Sequence, residues 1–430
     1  MAPRLTLPLA VFLLLGGAAL ACSSTTVIEQ KAVPGPGEED GGTEDAPPPR
    51  PEVDAGVDAA KPFVFTPAPK GTFAQAVSFG GAVVKTPKIV PIIYTGDPQK
   101  QVIIDFSNKM ATAAYWGQIS SEYGVGALTT KAPIILNELP PTNIDDSQIA
   151  SWLVSKFSSD AARFGTPDSS TLYVIYYPSS TTVTQGGSTG CDSFGGYHYE
   201  TNVGATPIAY SVLPRCAAFA GLGGSDVTTF ASSHEILEWA TDPFPASRPA
   251  YMAVDDDHAV WSRVFLGELG DLCTQMGDVA IAPADLGFTV QRTWSNLSAQ
   301  GGHHPCAPTT KLPYFTAFPT APERISATDE FGRQISTKGF KVGVGQSKTV
   351  DLTLYADADA GVINIQVLDI TKLYGIQPEF SYSLARAYGQ PGDTLKLTIT
   401  GERSATQGQG FLIVSQTKKD QNIFPVWVTN

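Results

Sequence analysis

Residues 172–177 read LYVIYY, a run of β-branched and aromatic residues that ends immediately before a proline. A short apolar run bounded in this way is typical of a strand that is buried on both faces. Two more such runs occur, at 89–94 and 208–213. Between the runs at 89–94 and 172–177, apolar residues at helical spacing predict a helix from about residue 101. They predict a second helix over 145–157, with Asp146 and Ser147 as its capping residues. Strands that alternate with helices indicate an α/β or α+β layer domain.

Composition narrows the class of protein further. The chain has 430 residues, of which 42% are hydrophobic and 16% charged, which suits two or three domains with substantial cores. Only one long apolar run occurs, near the N-terminus, and this argues against a multi-span membrane protein. The formal net charge of −13 and the lack of a basic stripe argue against a nucleic-acid partner.

The sequence pattern changes near residue 312. From there on, short runs alternate between apolar and polar residues and are separated by turn residues. These runs lie at 351–355, 362–368, 380–384, 395–400 and 411–414. We therefore predict an α/β domain over 62–310, followed by an all-β, immunoglobulin-like sandwich over 311–430.

The N-terminus has the pattern of an export signal. Residues 1–21 place one arginine before an apolar run and a group of small residues, as in a secretory signal peptide. The sequence ALAC, which ends at Cys22, resembles the bacterial lipobox and implies that Cys22 is lipidated. The alternative is an ordinary signal peptide that is removed near the same position. Ser23 is not acidic, so the resemblance favours the outer membrane of the cell envelope over inner-membrane retention.

A tether and two disulfides follow from the same interpretation. Residues 22–61 are rich in Pro, Gly and acids, which predicts a disordered linker behind a lipid anchor. The remaining cysteines form no CxxC pair, so we do not expect a thiolate zinc site. Exported proteins meet an oxidising compartment, and four cysteines allow three pairings. We favour the local pairs Cys191–Cys216 and Cys273–Cys306, because each would fix a loop beside the helix described next.

Residues 225–243 read SDVTTFASSHEILEWATDP. Ser or Asp at the start and Asp-Pro at the end predict a helix from 225 or 226 to about 240. His234 and Glu238 are then one turn apart on the core-facing side. A buried carboxylate without a partner is costly, and a divalent cation bound by both side chains would offset that cost. Two ligands at i and i+4 match the zinc-protease helix, in which Glu235 would be the general base.

Several other segments accompany this helix in a fixed order. GGYH at 195–198 precedes it, and GELGDLC at 267–273, VQRTWSN at 290–296 and then Cys306 follow it. Together these motifs resemble secreted bacterial HExxE proteins that are similar to the plant EXORDIUM, or phosphate-induced, family. The resemblance covers about residues 85–306 and implies a zincin-like domain.

The resemblance also implies a set of metal ligands. His234 and Glu238 would bind zinc, with Glu268 as the third ligand, Asp271 as its rival and His198, on a loop held by Cys191, as a further participant. One histidine and two acids neutralise a divalent ion, which weakens its Lewis acidity and makes harder ions such as Ca²⁺ more competitive. A separate Ca²⁺ candidate is the acidic turn 255–258, whose alternative is a solvated surface turn.

Three functional hypotheses remain open at this point. The first is an envelope-tethered zinc metallopeptidase that acts on a protein or peptide. The second is a non-catalytic, EXORDIUM-like surface or wall-associated protein, with a structural metal and a sandwich that binds glycan or protein. The third is a structural lipoprotein without a metal.

Overall fold

The computed structural model describes residues 21–23, 65, 68–329, 331–373, 377–404 and 408–430. The predicted signal peptide up to residue 20 and the predicted linker over 24–61 lie outside the described residues. The described part is a mixed, β-rich fold that has helices only in its N-terminal two thirds, apart from one short turn of helix at Ile370–Leu373. No described helix is both long enough and apolar enough to cross a membrane.

The run LYVIYY forms the strand Thr171–Tyr177 in the middle of the first sheet. Its side chains alternate between two cores, so that Leu172 and Val174 lie on one side and Tyr173 and Ile175 on the other. The prediction of a strand that is buried on both faces is therefore confirmed. The order across the sheet is Ala21–Ser23, Phe194–Val203, Thr206–Pro214, Thr171–Tyr177, Lys88–Tyr94 and Thr129–Thr130, with Ile134–Leu136 also paired to Lys88–Tyr94. The strands from Thr206 onward in this order are parallel, and the first two pairings are antiparallel.

Helices cover both faces of this sheet. Asp146–Ser159 buries Ile149 and Leu153 on one face. The helices on the other face are Lys100–Met110, Ala114–Ser120 and Ser225–Thr241.

The helix Asp146–Ser159 begins one residue later than predicted. Its cap is Asp145, which accepts a hydrogen bond from the Ser147 N–H while Gln148 bonds back, forming a capping box. Asp146, a predicted cap, instead accepts hydrogen bonds from two tyrosine hydroxyls of the sheet.

Shorter elements complete the N-terminal region. The small sheets pair Ala76–Ser78 with Tyr251–Val254, Asn143–Asp145 with Thr182–Gln185 and Ser188–Thr189, Ala218–Phe219 with Leu222–Gly223, Ala280–Ile281 with Val290–Gln291, and Thr293–Trp294 with Cys306–Ala307. The short helices are Ser121–Tyr123, Ala161–Phe164, Asp256–His258, Val260–Phe265, Asp271–Cys273 and Asn296–Gly301.

The C-terminal region consists of two facing sheets, and every strand predicted there lies in one of them. The first has the order Phe315–Pro319, Ser347–Ala356, Thr394–Gly401 and Phe380–Leu384. The second has the order Glu323–Thr328, Gln334–Lys341, Gln421–Thr429, Gln409–Gln416, Ile363–Asp369 and Tyr388–Gly389. Aromatic contacts between the sheets, such as Phe318 with Phe424 and Tyr382 with Phe411, give the region its sandwich-like character.

One hydrophobic core runs through both regions. The Trp261 ring contacts Trp294 of the N-terminal region and Phe424 of the C-terminal region, with ring centroids 5.1 and 5.6 Å away. The loops that carry the downstream motifs therefore pack between the site helix and the C-terminal sheets.

Both favoured disulfides are present, Cys191–Cys216 and Cys273–Cys306. They are consistent with folding in an oxidising compartment.

Candidate metal centre

The helix that carries the H-E-x-x-E motif, Ser225–Thr241, is buried along nearly its whole length. Every residue from Val227 to Thr241 is buried, which differs from the single apolar face that the sequence predicts. The helix lies between the central sheet and the loops that follow it, so its polar residues are enclosed as well. It follows Gly224, whose φ is +62°, and neither Ser225 nor Asp226 acts as the predicted side-chain cap.

His234 and Glu238 meet as the helical spacing predicts. The His234 Nε2 and Glu238 Oε2 atoms are 2.9 Å apart. The other Glu238 oxygen accepts hydrogen bonds from the backbone N–H groups of Gly270 and Asp271, both at 3.0 Å. A Cβ atom on Gly270 would lie 2.6 Å from His234 Nδ1, so this close approach of the loop requires glycine. The motif GELGDLC therefore wraps around the H-E-x-x-E pair.

Gln291 fixes the orientation of His234, and the sequence offered no signal for it beyond its place in VQRTWSN. Its Nε2 donates to the Gly270 carbonyl at 2.6 Å, so its Oε1 is the atom that faces His234 Nδ1, at 2.9 Å. Nδ1 therefore carries a hydrogen. The Nε2 atom of His234 then points toward the carboxylates of Glu238 and Asp271, the latter 3.6 Å away. This arrangement is stable only if a proton or a metal ion lies between them.

His198 belongs to the same centre, but the element that carries it differs from the prediction. It lies on the strand Phe194–Val203 and not in the loop held by Cys191. Its side chain is fully buried, with Nδ1 3.5 Å from Glu235 Oε2, and with Nε2 3.2 Å from the Asp242 carbonyl oxygen and 3.6 Å from Glu268 Oε1.

Four acids of the centre are buried, and no lysine or arginine of the described residues pairs with them. Glu235 and Glu268 are each 1% exposed, and Glu238 and Asp271 are each 3% exposed. Neither carboxylate oxygen of Glu235 or of Glu268 has a hydrogen-bond partner. Among the described residues, the ion pairs of these four acids are with histidines and none is with Lys or Arg. Burying this much unneutralised charge is very unfavourable.

The ionisation of these groups reflects their burial. Burial, followed by the charge on Glu238, raises the pKa of Glu268 and of Asp271 well above the usual carboxyl range. Burial also raises the pKa of Glu235, and it raises the pKa of the neighbouring Asp242 to about 6. Burial opposes ionisation of Glu238 too, but His234 outweighs it and lowers the pKa of Glu238. Without a cation, this centre retains protons.

Two groups of potential ligand atoms converge within 4.8 Å, and Glu238 belongs to both. The first contains His234, Glu238 and Asp271, and the second contains His198, Glu238 and Glu268. Ligand atoms about 2.0–2.1 Å from a tetrahedral zinc ion lie about 3.3 Å from one another. The His234 distances of 2.9 and 3.6 Å to its two acids bracket that value. The first group contains both helical ligands and the rival third ligand Asp271, while the favoured third ligand Glu268 belongs to the second.

The acidic turn at 255–258 finds its partners within the protein. Asp255 pairs with His258 at 2.8 Å, and Asp257 pairs with Arg324 at 2.7 Å and with Lys338 at 3.2 Å. Its two outer acids are therefore already neutralised, and this geometry does not support the calcium hypothesis for the turn.

A third group of acids and histidine lies outside the H-E-x-x-E helix and contains an arginine, Arg292. Asp278 forms an ion pair with Arg292 and lies 3.2 Å from His304 Nε2, and Asp420 of the C-terminal region completes the group.

Comparisons with known proteins give no family for this chain. No protein-family model and no curated protein matches it. Similar solved structures include a chimeric titin Z1Z2 functionalised with an exogenous KLER peptide from decorin, at 13% identity, 26% of this chain, 92% of that chain and a TM-score of 0.16. The titin M3 domain matches at 8% identity, 27% of this chain, 97% of that chain and a TM-score of 0.16. These TM-scores carry no argument about fold or function, and the EXORDIUM-like resemblance stays a prediction.

Proposed function

We propose that this protein binds a divalent cation, with zinc as the best match, at a buried centre built on the H-E-x-x-E helix. The observation that supports this most strongly is the burial of four acids together with two histidines and without a lysine or arginine. His234, Glu238 and Asp271 would hold the ion. Imidazole and carboxylate donors suit zinc, and Gln291 supplies the outer hydrogen bond that a ligating histidine usually has.

The chemistry that we propose for this centre is peptide-bond hydrolysis. Zinc, when bound, supplies Lewis acidity. Glu235 directly follows the ligand His234 on the helix, and its carboxylate oxygens accept no hydrogen bond. Its raised pKa suits a general base, which takes a proton from the attacking water and passes it to the leaving amine. The ion pair with His198 orients this carboxylate. The substrate class is a protein or peptide.

A second candidate function is non-catalytic, and one specific observation favours it. No side chain of the centre is more than 3% exposed, and a closed set of ligands is typical of a structural metal. In that case the cation stabilises the fold, and the C-terminal sheets carry a binding role toward a glycan or protein at the cell surface.

Replacing the general base separates the two functions. The variant Glu235→Gln should retain zinc and lose cleavage of casein or a peptide library. Asp226→Asn, an exposed acid in the first turn of the same helix, is the matched control and should keep both properties. Zinc in both proteins with no cleavage by either supports the structural role. A wild-type protein without metal contradicts both functions.

We also propose that the protein is exported and lipid-anchored at Cys22, in the outer membrane. The lipobox-like sequence and the two disulfides support export to the cell envelope. The variant Cys22→Ser should release the protein from the outer-membrane fraction into a soluble one. An unchanged membrane fraction would contradict lipid anchoring at this residue.

A further inference from the structure

The centre contains more acid than one cation neutralises. When ionised, Glu235, Glu238, Glu268 and Asp271 carry four negative charges on residues that are at most 3% exposed. A single divalent ion would leave two of these charges without compensation. Residual charge in a buried site costs several kcal/mol per ion unless something neutralises it.

Glu268 is an acid of the centre that a single cation at the first group would not contact. Its carboxylate is 99% buried, as its 1% exposure shows, and neither oxygen has a hydrogen-bond partner. It is directed toward His198 Nε2, 3.6 Å away, and converges with that histidine and Glu238 within 4.8 Å. Glu268 does not belong to the first group, which contains His234, Glu238 and Asp271. A cation held at the first group therefore leaves Glu268 with His198 as its only ion-pair partner among the described residues.

Glu238 lies between the two groups and is held in place. One of its oxygens is fixed by the N–H groups of Gly270 and Asp271, so the carboxylate cannot turn toward one group without losing those bonds. His234 and His198 approach from opposite elements, the helix and the strand Phe194–Val203. Each group therefore contains one imidazole, one acid of its own and the shared carboxylate of Glu238.

We propose that the centre holds two divalent cations that share Glu238 as a ligand. The first is held by His234, Glu238 and Asp271. The second is held by His198, Glu238 and Glu268, and His198 Nε2 gives up its hydrogen bond to the Asp242 carbonyl oxygen to bind it. This inference rests on the metal-binding function proposed above. The sequence leaves Glu268 and Asp271 as rivals for one position, and this inference assigns them to different ions. The charges of two divalent ions also balance those of the four carboxylates. Paired metals that share a carboxylate are a recurrent arrangement in hydrolases.

The test is a zinc titration of the purified full chain, prepared without a histidine tag. The protein is stripped with a chelator and titrated with ZnCl₂ by isothermal calorimetry at pH 7.5. Two equivalents per chain support the proposal. One equivalent overturns the second ion and leaves the proposed function standing. No binding overturns both.

Variants assign each ion to its ligands. Glu268→Gln and Asp271→Asn should each bind one equivalent of zinc, half the wild-type amount. Asp278→Asn, in the group that has its own arginine, is the matched control and should bind two. A Glu268→Gln protein that still binds two equivalents contradicts the assignment of the second ion.

A spectroscopic measurement keeps the proposal testable if a variant does not fold. Wild-type protein loaded with MnCl₂ should show the electron paramagnetic resonance of a coupled pair. An isolated six-line signal at full loading would contradict a shared ligand.

Discussion

Among the described residues, a fully buried cluster of acids and histidines and a partly buried one differ in whether a base accompanies them. In the cluster between the two regions, Asp278, His304 and Asp420 surround the Arg292 guanidinium, which pairs with Asp278. In the candidate metal centre, none of the described lysines or arginines forms an ion pair with the acids. Similar residue types thus form a cluster that contains its own base in one place and a cluster whose acids pair only with histidines in the other.

The histidines of the two clusters show the same difference. His304 Nδ1 accepts a hydrogen bond from the Cys306 N–H, and its Nε2 lies 3.2 Å from Asp278 Oδ1 and 3.3 Å from Arg292 Nη1. His234 donates from Nδ1 to Gln291, and its Nε2 faces two carboxylates. Arg292 supplies a positive charge within the first cluster, whereas no described lysine or arginine pairs with the acids of the second. The second arrangement is the one expected of ligands arranged around a metal.

The largest effect that this comparison predicts is at Arg292. Replacing it in Arg292→Met leaves Asp278 buried without its base, so the free energy of unfolding should fall by about 3–5 kcal/mol. Urea unfolding measures the change. The exposed pair of Arg324 with Asp257 is the control, and Arg324→Met should cost less than about 1 kcal/mol. Equal costs for the two variants would show that burial does not distinguish these pairs.

Removal of metal should have the next largest effect. At a free zinc concentration about 100 times the Kd, binding adds roughly 2.7 kcal/mol to the free energy of unfolding. A chelator at pH 7.5 should remove that stability, and added ZnCl₂ should restore it, as thermal unfolding would show. If the unfolding midpoint did not change when the chelator was added, the prediction that a bound metal stabilises the candidate metal centre would be contradicted.

The pH dependence of the metal-free protein follows from the raised pKa values of Glu268 and Asp271. The folded state binds more protons than the unfolded state, so this contribution is fully present below about pH 4, the ordinary carboxyl pKa, and is lost as the pH rises. Chelated protein should therefore be less stable at pH 7.5 than at pH 5. The opposite order would contradict protonated acids in the metal-free centre.

A smaller effect is expected at Gly270. In Gly270→Ala the new Cβ would press on His234 and Glu238, so we expect a loss of about 2 kcal/mol and weaker zinc binding. Gly117 is a helical glycine with no atom within 4 Å of an added Cβ. As the control, Gly117→Ala should be neutral or stabilising by up to about 1 kcal/mol. Unchanged zinc affinity in Gly270→Ala would contradict the close approach of the loop.

The smallest effect, of opposite sign, is expected at Asp420. Burial and the neighbouring Asp278 raise the pKa of Asp420 to about 6, so its ionisation destabilises the fold as the pH rises from about 4 to 6. Asp420→Asn should therefore stabilise the protein at pH 7.5 by about 1 kcal/mol, after allowance for solvent screening, and have no effect at pH 3.5. Stabilisation of equal size at both pH values would show that the effect is not electrostatic.

The sequence predicts the features that depend on local spacing. The run LYVIYY, the helix with His234 and Glu238 one turn apart, and the two local disulfides are confirmed, because each depends on residues close in the chain or on a small number of pairings. The prediction that the helix Ser225–Thr241 buries only one face was wrong, because helical periodicity cannot show that later loops cover the opposite face.

Features that depend on distant parts of the chain were not predictable. Gln291 acquires its contact with His234 only when the strand Val290–Gln291 packs on the helix. The neutralisation of Asp278 joins residues of both regions, and no pattern in the sequence distinguishes these acids from those of the centre. Which acids receive a base is thus decided by tertiary packing.

The most direct test of the central claim is anomalous diffraction at the zinc absorption edge, from crystals of protein that has been given zinc. We predict an anomalous peak between His234 Nε2 and the carboxylates of Glu238 and Asp271. The claim would be contradicted if the centre gave no peak and the four buried acids kept the positions described here.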